Sequence, residues 1–247
     1  IGYAAGDAVT TGGANVAVGG NALSAITTTA SNTAVGYNSL AVSTAANNTA
    51  VGRSSLLANT SGTANVAVGA DALATNTTAS KNTAVGFLAG AAVTTGGVNT
   101  LIGALSGDAI TTGAYNTTLG VSTLGANTAS NKNTAIGGNS MVAFNVTTDT
   151  DTYNTAVGYG SGQSLTTGIQ NTLIGGLAGD ALTDADDNVA IGLAALSADT
   201  LGSNSVAIGK SALAAQNFTT ATDTYNTAVG YQAGLAVTTG INNTLIG

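Results

Sequence analysis

The sequence predicts an all-β fold, a parallel β-roll or β-solenoid of about 14 coils with a 17-residue unit, and three observations support this prediction. A short motif, Asn-(Thr/Val)-(Ala/Leu)-(Val/Ile)-Gly, recurs along the whole chain. Glu is absent, whereas 35 Gly and 42 Thr occur among 247 residues, a composition that disfavours helices. The apolar residues are mostly small or β-branched, so they can fill a thin core that is repeated many times but not a broad globular one.

The repeat is defined by the glycine that closes each motif, called the anchor glycine below. Successive anchor glycines are 17 residues apart, except for one spacing of 16 and two of 21. They are Gly2, Gly19, Gly36, Gly52, Gly69, Gly86, Gly103, Gly120, Gly137, Gly158, Gly175, Gly192, Gly209, Gly230 and Gly247. Fourteen units therefore tile residues 1–247, which we interpret as one repetitive segment of a longer fibre protein with 72-residue super-repeats at 86–157 and 158–229.

Each motif predicts one short strand. The residues one and three positions before the anchor glycine are almost always β-branched, and such residues lie on the same side of a strand. We expect this β-branched side to face the core, with each Val or Ile nearly fully buried. Seventeen residues further allow two strands of about five residues and two turns in each coil.

An asparagine four positions before the anchor glycine is expected to form a buried structural ladder whose amides hydrogen-bond from coil to coil and close the turn before the strand. Ser205 takes its place in one unit, where the asparagine shifts to Asn204. The thirteen members are Asn15, Asn32, Asn48, Asn65, Asn82, Asn99, Asn116, Asn133, Asn154, Asn171, Asn188, Asn226 and Asn243.

The rest of the unit occurs in two versions. Eight units carry Leu or Met four residues after the anchor glycine, as at Leu73. The other six carry glycine there and an aliphatic residue three positions later, as at Gly107 and Ile110. This exchange predicts a constant core volume in each coil.

The repeats resemble those of a known group of proteins. Residues 204–212, Asn-Ser-Val-Ala-Ile-Gly-Lys-Ser-Ala, resemble the head repeat of YadA-type trimeric autotransporter adhesins. Residues 226–234, Asn-Thr-Ala-Val-Gly-Tyr-Gln-Ala-Gly, are similar to repeats of phage tail fibres. The resemblance covers the whole chain and implies a left-handed roll that assembles as a homotrimer and has no catalytic residues. Because the adhesin units are shorter, the 17-residue unit favours the fibre-like branch.

Few residues are candidates for chemistry. The cluster Asp184, Asp186 and Asp187 is a weak candidate for a calcium site, with a solvated corner as the alternative. Five aromatic residues directly follow an anchor glycine and are expected to cover a seam between chains or, alternatively, to stack on glycans: Tyr3, Tyr37, Phe87, Tyr159 and Tyr231. No enzyme activity, cofactor or metal is expected, because His, Cys and Glu are absent and no paired acids or phosphate loop occurs.

Composition also limits the partners. Four basic residues against eleven acidic ones cannot neutralise a nucleic-acid backbone, so no nucleic-acid binding is expected. No apolar run approaches the ~20 residues of a membrane helix, so we expect no membrane insertion.

These observations predict an extracellular structural shaft or head of an attachment fibre, a phage tail fibre on the virion. The chain's partners would be further copies of itself, and a tip outside this segment would bind the host-cell surface or envelope glycans. The alternatives are the head of a trimeric adhesin on a bacterial surface and a subunit of a self-assembling extracellular filament. A remote alternative is an ice-binding solenoid, which would need outward-facing Thr-x-Thr rows at a fixed position in each coil. The repeated strand threonine is instead expected on the core side.

Overall fold

The computed structural model describes residues 1–247 and confirms an all-β parallel β-solenoid of about 14 turns with a repeat of about 17 residues and no helix. The strands are β1 (Val16–Val18), β2 (Thr33–Val35), β3 (Thr49–Val51), β4 (Val66–Val68), β5 (Thr83–Val85), β6 (Thr100–Ile102), β7 (Thr117–Leu119), β8 (Thr134–Ile136), β9 (Thr155–Val157), β10 (Thr172–Ile174), β11 (Val189–Ile191), β12 (Gly202–Ser203), β13 (Val206–Ile208), β14 (Thr222–Asp223), β15 (Thr227–Val229) and β16 (Thr244–Ile246). Every motif strand thus lies directly before an anchor glycine.

The chain divides into two compact units, Ile1–Thr118 and Leu119–Gly247. In the first unit, β1 to β6 pair in parallel in chain order, and equivalent residues of the motif stand opposite each other. In the second unit, β8, β9, β10, β11, β13, β15 and β16 pair in the same way. Each coil therefore places its strand beside the identical segment of the next coil.

The expectation of two five-residue strands per coil is wrong. Each coil has one three-residue strand, and β12 and β14 form a separate two-stranded pair. Turns occupy the remaining residues of the coil, and non-glycine residues repeatedly adopt positive φ there, such as Leu73 with φ 48° and Lys81 with φ 62°. A left-handed residue ends an extended run, so a second strand cannot continue through these positions.

The expected orientation of the strands is also wrong. The middle residue of the strand faces the core and is fully buried, as for Ala67 in β4, whereas the flanking Val66 and Val68 are only partly covered. The β-branched side therefore faces outward. The interior of a coil is narrow, and the Leu or Met four residues after the anchor glycine already occupies it. Only a small strand residue then fits opposite.

The exchange between the two versions of the unit is confirmed by the packing. Leu73 is fully buried where the first version occurs, and Ile110 is fully buried beside Gly107. A Cβ on Gly107 would lie 2.9 Å from Cδ1 of Ile110 and 2.8 Å from Cδ2 of Leu101. Leu101, the middle residue of β6, also reaches to Gly90 of its own coil. One strand leucine thus fills the space that two successive glycines leave.

The anchor glycine is required by the distance between coils. Gly69 has φ +138°, and a Cβ there would lie 2.3 Å from the carbonyl oxygen of Gly86. No side chain is compatible with this approach, which explains why the anchor position is always glycine.

The four extra residues of the two long coils are accommodated outside the strands. Thr134 still pairs with Thr155 across the first insertion, and Val206 pairs with Thr227 across the second. The ends of the insertions pair with the preceding coil, through a bridge between Asn131 and Asp151 and through β12 with β14. The insertions therefore leave the register of the sheet unchanged.

Candidate interaction surface

The asparagines of the motif bind backbone groups of neighbouring turns. Oδ1 of Asn65 accepts a hydrogen bond of 3.0 Å from the backbone N–H of Asn82, one coil further on. Nδ2 of Asn65 donates to the carbonyl of Ala79 at 2.9 Å. The other ladder asparagines lie at equivalent positions, and all except Asn15 and Asn243, in the terminal coils, are fully buried. The side-chain amides therefore use their hydrogen-bonding groups within the solenoid and do not present them to a ligand.

One position of this ladder is occupied differently. The hydroxyl of Ser205, which stands where the other units have asparagine, accepts a hydrogen bond from Nε2 of Gln216 at 2.8 Å. Gln216 in turn accepts from Asn226 through Oε1 at 2.8 Å and donates to the buried carboxylate of Asp199 at 2.6 Å. Asp199 also accepts from the backbone N–H groups of Gly202 and Phe218. The long Gln216 side chain thus replaces the missing amide.

A second ladder was not predicted from the sequence and runs along a corner of the coils, where threonine stands eight residues after the anchor glycine in twelve of the fourteen coils. The hydroxyl of Thr60 donates to the carbonyl of Thr77 at 3.0 Å, and Thr77 donates to Thr94 at 3.1 Å. The same bond joins Thr166 to Thr183 in the second unit. The recurrence of threonine at a fixed position was the available signal, but only the coil geometry brings each hydroxyl to a carbonyl.

Two carboxylates of the acidic cluster accept hydrogen bonds from the preceding coil. Asp184 accepts a hydrogen bond from the hydroxyl of Thr167 at 2.6 Å, and Asp186 accepts from the backbone N–H of Ile169 at 2.7 Å. Asp184 and Asp187 are exposed, and no group of three acidic residues that could hold a metal ion occurs. Burial, and then the charges of Asp184 and Asp187, raise the pKa of Asp186. The carboxylates of Asp184 and Asp186 thus serve as acceptors between coils.

The five aromatic residues that follow an anchor glycine are called the aromatic stripe, and they are at least half exposed: Tyr3, Tyr37, Phe87, Tyr159 and Tyr231. A Cβ on Gly20 would lie 3.3 Å from the ring of Tyr37, and one on Gly138 would lie 3.6 Å from the ring of Tyr159. Each of these two rings therefore covers a glycine of the preceding coil and leaves its outer surface free. The ring of Tyr231 is covered differently, since Nζ of Lys210 lies 6.0 Å from its centroid.

The outward side chains of the strands form a second surface, called the sheet face. Each three-residue strand contributes its first residue, Thr in ten strands and Val in four, and its third residue, which is Val, Ile or Leu. The sheet face thus contains no charged residue. Most of these residues are partly buried, as in β3 and β5, and the exposed fraction is 38% for Ile174 and 48% for Val16 in the first strand. The sheet face is an apolar, hydroxyl-bearing and regularly repeated surface in each of the two units.

No pocket opens on the chain, and no helix is present that could span a membrane. No family model, curated protein or solved structure matches the chain.

Proposed function

We propose that the chain is a structural segment of an extracellular attachment fibre, a phage tail fibre, which holds a receptor-binding tip away from the particle. The observation that carries this proposal is that the ladder asparagines and the corner threonines bind neighbouring coils. Asn65 and Thr60 illustrate this use of polar groups for continuity along the solenoid. A polypeptide organised in this way can extend by adding coils, and it resists local unfolding because each coil is bonded to its neighbours. A bacterial adhesin head would have the same requirements.

The segment associates with further copies of itself through the aromatic stripe, and three copies form the fibre. Tyr159 and Tyr231 are both 64% exposed. Only 6% of the residues are charged, so few charges oppose association of the chain with further copies of itself. Covering exposed aromatic rings stabilises an assembly by about 25 cal/mol per Å² of apolar surface. Rings that are already supported by a glycine or a lysine on one side lose little freedom when a second chain covers the other side.

The assembly is tested by the mass of the chain in solution. We expect three times the monomer mass in analytical ultracentrifugation, and dissociation on the double substitution Tyr159→Ser and Tyr231→Ser. The matched control is Tyr153→Ser with Tyr225→Ser, which removes two tyrosines of similar exposure that lie outside the stripe. A stable wild-type monomer, or equal dissociation of the control, would contradict the assembly.

The role in a fibre is tested by locating the chain. Gold-labelled antibody against residues 1–247 should decorate the shaft of a fibre in negative-stain images of the source particle or cell. Labelling of a globular, non-fibrous structure or of the cytoplasm would contradict the proposal.

A further inference from the structure

The strand threonines face outward, so they meet one requirement of an ice-binding surface, a regular threonine row, while Val, Ile or Leu takes the place of a second threonine in each strand. In the second unit, Thr134, Thr155 and Thr172 begin three successive strands and stand in register. Neighbouring strands are ~4.8 Å apart, and residues two apart along a strand are separated by about 6.6 Å. The sheet face is therefore a two-dimensional lattice with a row of threonines beside a row of Val and Ile.

The hydroxyls of this row have no partner within the chain. None of the threonines on the sheet face donates or accepts a side-chain hydrogen bond, whereas corner threonines such as Thr60, Thr77 and Thr166 each donate to a carbonyl of the next coil. For comparison, the hydroxyl of Thr60 is held at 3.0 Å by the next coil, whereas those of Thr49 and Thr83 point to no acceptor. The row thus keeps its hydrogen-bonding capacity for an external partner.

The regularity of the face is maintained where the coil length changes. Both four-residue insertions leave the solenoid without shifting the strands, so Ile136 stays opposite Val157 and Ile208 stays opposite Val229. Where valine replaces threonine, as at Val66 and Val189, a β-branched methyl surface remains. A receptor that recognises one local site does not require this long-range order, whereas a crystalline partner does.

The chemistry of the face identifies such a partner. A dry contact with another protein would bury each threonine hydroxyl, and every hydroxyl left unpaired would weaken that contact. Charged groups, which would hold strongly oriented hydration water, are absent from the face. Methyl groups order the adjacent water, and hydroxyls fix it by hydrogen bonds at intervals close to the repeat distances of ice. We propose that the sheet face of each unit binds the surface of ice crystals.

The experiment measures ice recrystallisation inhibition and thermal hysteresis of the 247-residue chain at micromolar concentration. A face variant places four lysines on the threonine row, two in each unit: Thr49→Lys, Thr83→Lys, Thr134→Lys and Thr172→Lys. A control variant places four lysines on exposed residues outside the sheet face that make no side-chain hydrogen bond: Ser61→Lys, Thr95→Lys, Thr147→Lys and Gln163→Lys. Circular dichroism establishes that both variants keep the β-solenoid.

We expect the wild-type chain and the control variant to inhibit recrystallisation, and the face variant to need at least a tenfold higher concentration. Absence of activity in the folded wild-type chain overturns the inference, as does equal activity of the two variants. If ultracentrifugation finds an oligomer that only the face variant dissociates, the sheet face is a seam between copies and the inference is also wrong. The result does not depend on the fibre proposal, whose assembly is measured separately with the tyrosine variants.

Discussion

At most buried positions a substitution by alanine is less destabilising than one by glycine. We expect the opposite at Leu73, because of the backbone conformation there. Leu73 is fully buried but has φ 48°, in the left-handed region where a Cβ is unfavourable. At the same position of other coils the chain carries glycine, with φ 59° at Gly90 and 57° at Gly107. The leucine is retained because burying its side chain, at about 1.5–3 kcal/mol, exceeds the backbone cost of ~1–2 kcal/mol.

Replacing Leu73 by alanine removes the buried side chain and keeps the backbone strain, so we expect a loss of about 2–5 kcal/mol in the free energy of unfolding. Replacing it by glycine leaves the same cavity but relieves ~1–2 kcal/mol of strain, against ~0.5–1 kcal/mol of extra chain entropy in the unfolded state. Leu73→Gly should therefore be more stable than Leu73→Ala by about 0.5–1 kcal/mol, on the central values of these two energies.

The measurement is urea unfolding of the two variants, followed by circular dichroism. Ala67, which is buried in the extended backbone of β4, provides the control, because glycine there should be less stable than alanine. If Leu73→Gly is less stable than Leu73→Ala, as in ordinary core positions, the argument from backbone strain is refuted.

Two further predictions concern polar groups. Asn171→Ala removes the acceptor of the Asn188 N–H and the donor to the Ala185 carbonyl, both within the solenoid. At about 1–3 kcal/mol for each orphaned group, it should lower the free energy of unfolding by about 2–6 kcal/mol and speed hydrogen exchange at the amide of residue 188. The exposed control Asn217→Ala should have little effect, and equal losses would contradict a structural role of the ladder. Burial raises the pKa of Asp180, whose Oδ1 has no hydrogen-bond partner. The folded state therefore retains this proton more readily than the unfolded state, and the carboxyl's contribution to stability falls as the pH rises through the raised pKa. Asp180→Asn should raise the urea midpoint at pH 7 and make no difference at pH 3; an advantage that persists at pH 3 would contradict this reasoning.

The candidate surfaces could be predicted only in part. The aromatic stripe follows from the position of Tyr159 and Tyr231 after an anchor glycine, since such residues leave the strand at a corner. The support of the Tyr159 ring by Gly138 depends on the contact between coils and has no signal in a single unit. The sheet face was predicted as a set of residues, but on the wrong side of the strand.

The sequence by itself determined the features that depend on the chain's period: the number and length of the coils, the place of each strand before an anchor glycine, and the use of glycine or leucine in the core. The tertiary structure alone decided which side of the strand faces inward. An alternation with period two distinguishes two faces but assigns neither of them to the core. The assignment follows from the space inside the closed coil, where Leu73 leaves room for Ala67 but not for Val66 or Val68. The same closure places the hydroxyl of Thr60 against a carbonyl and leaves that of Thr49 free, although the two residues are chemically identical.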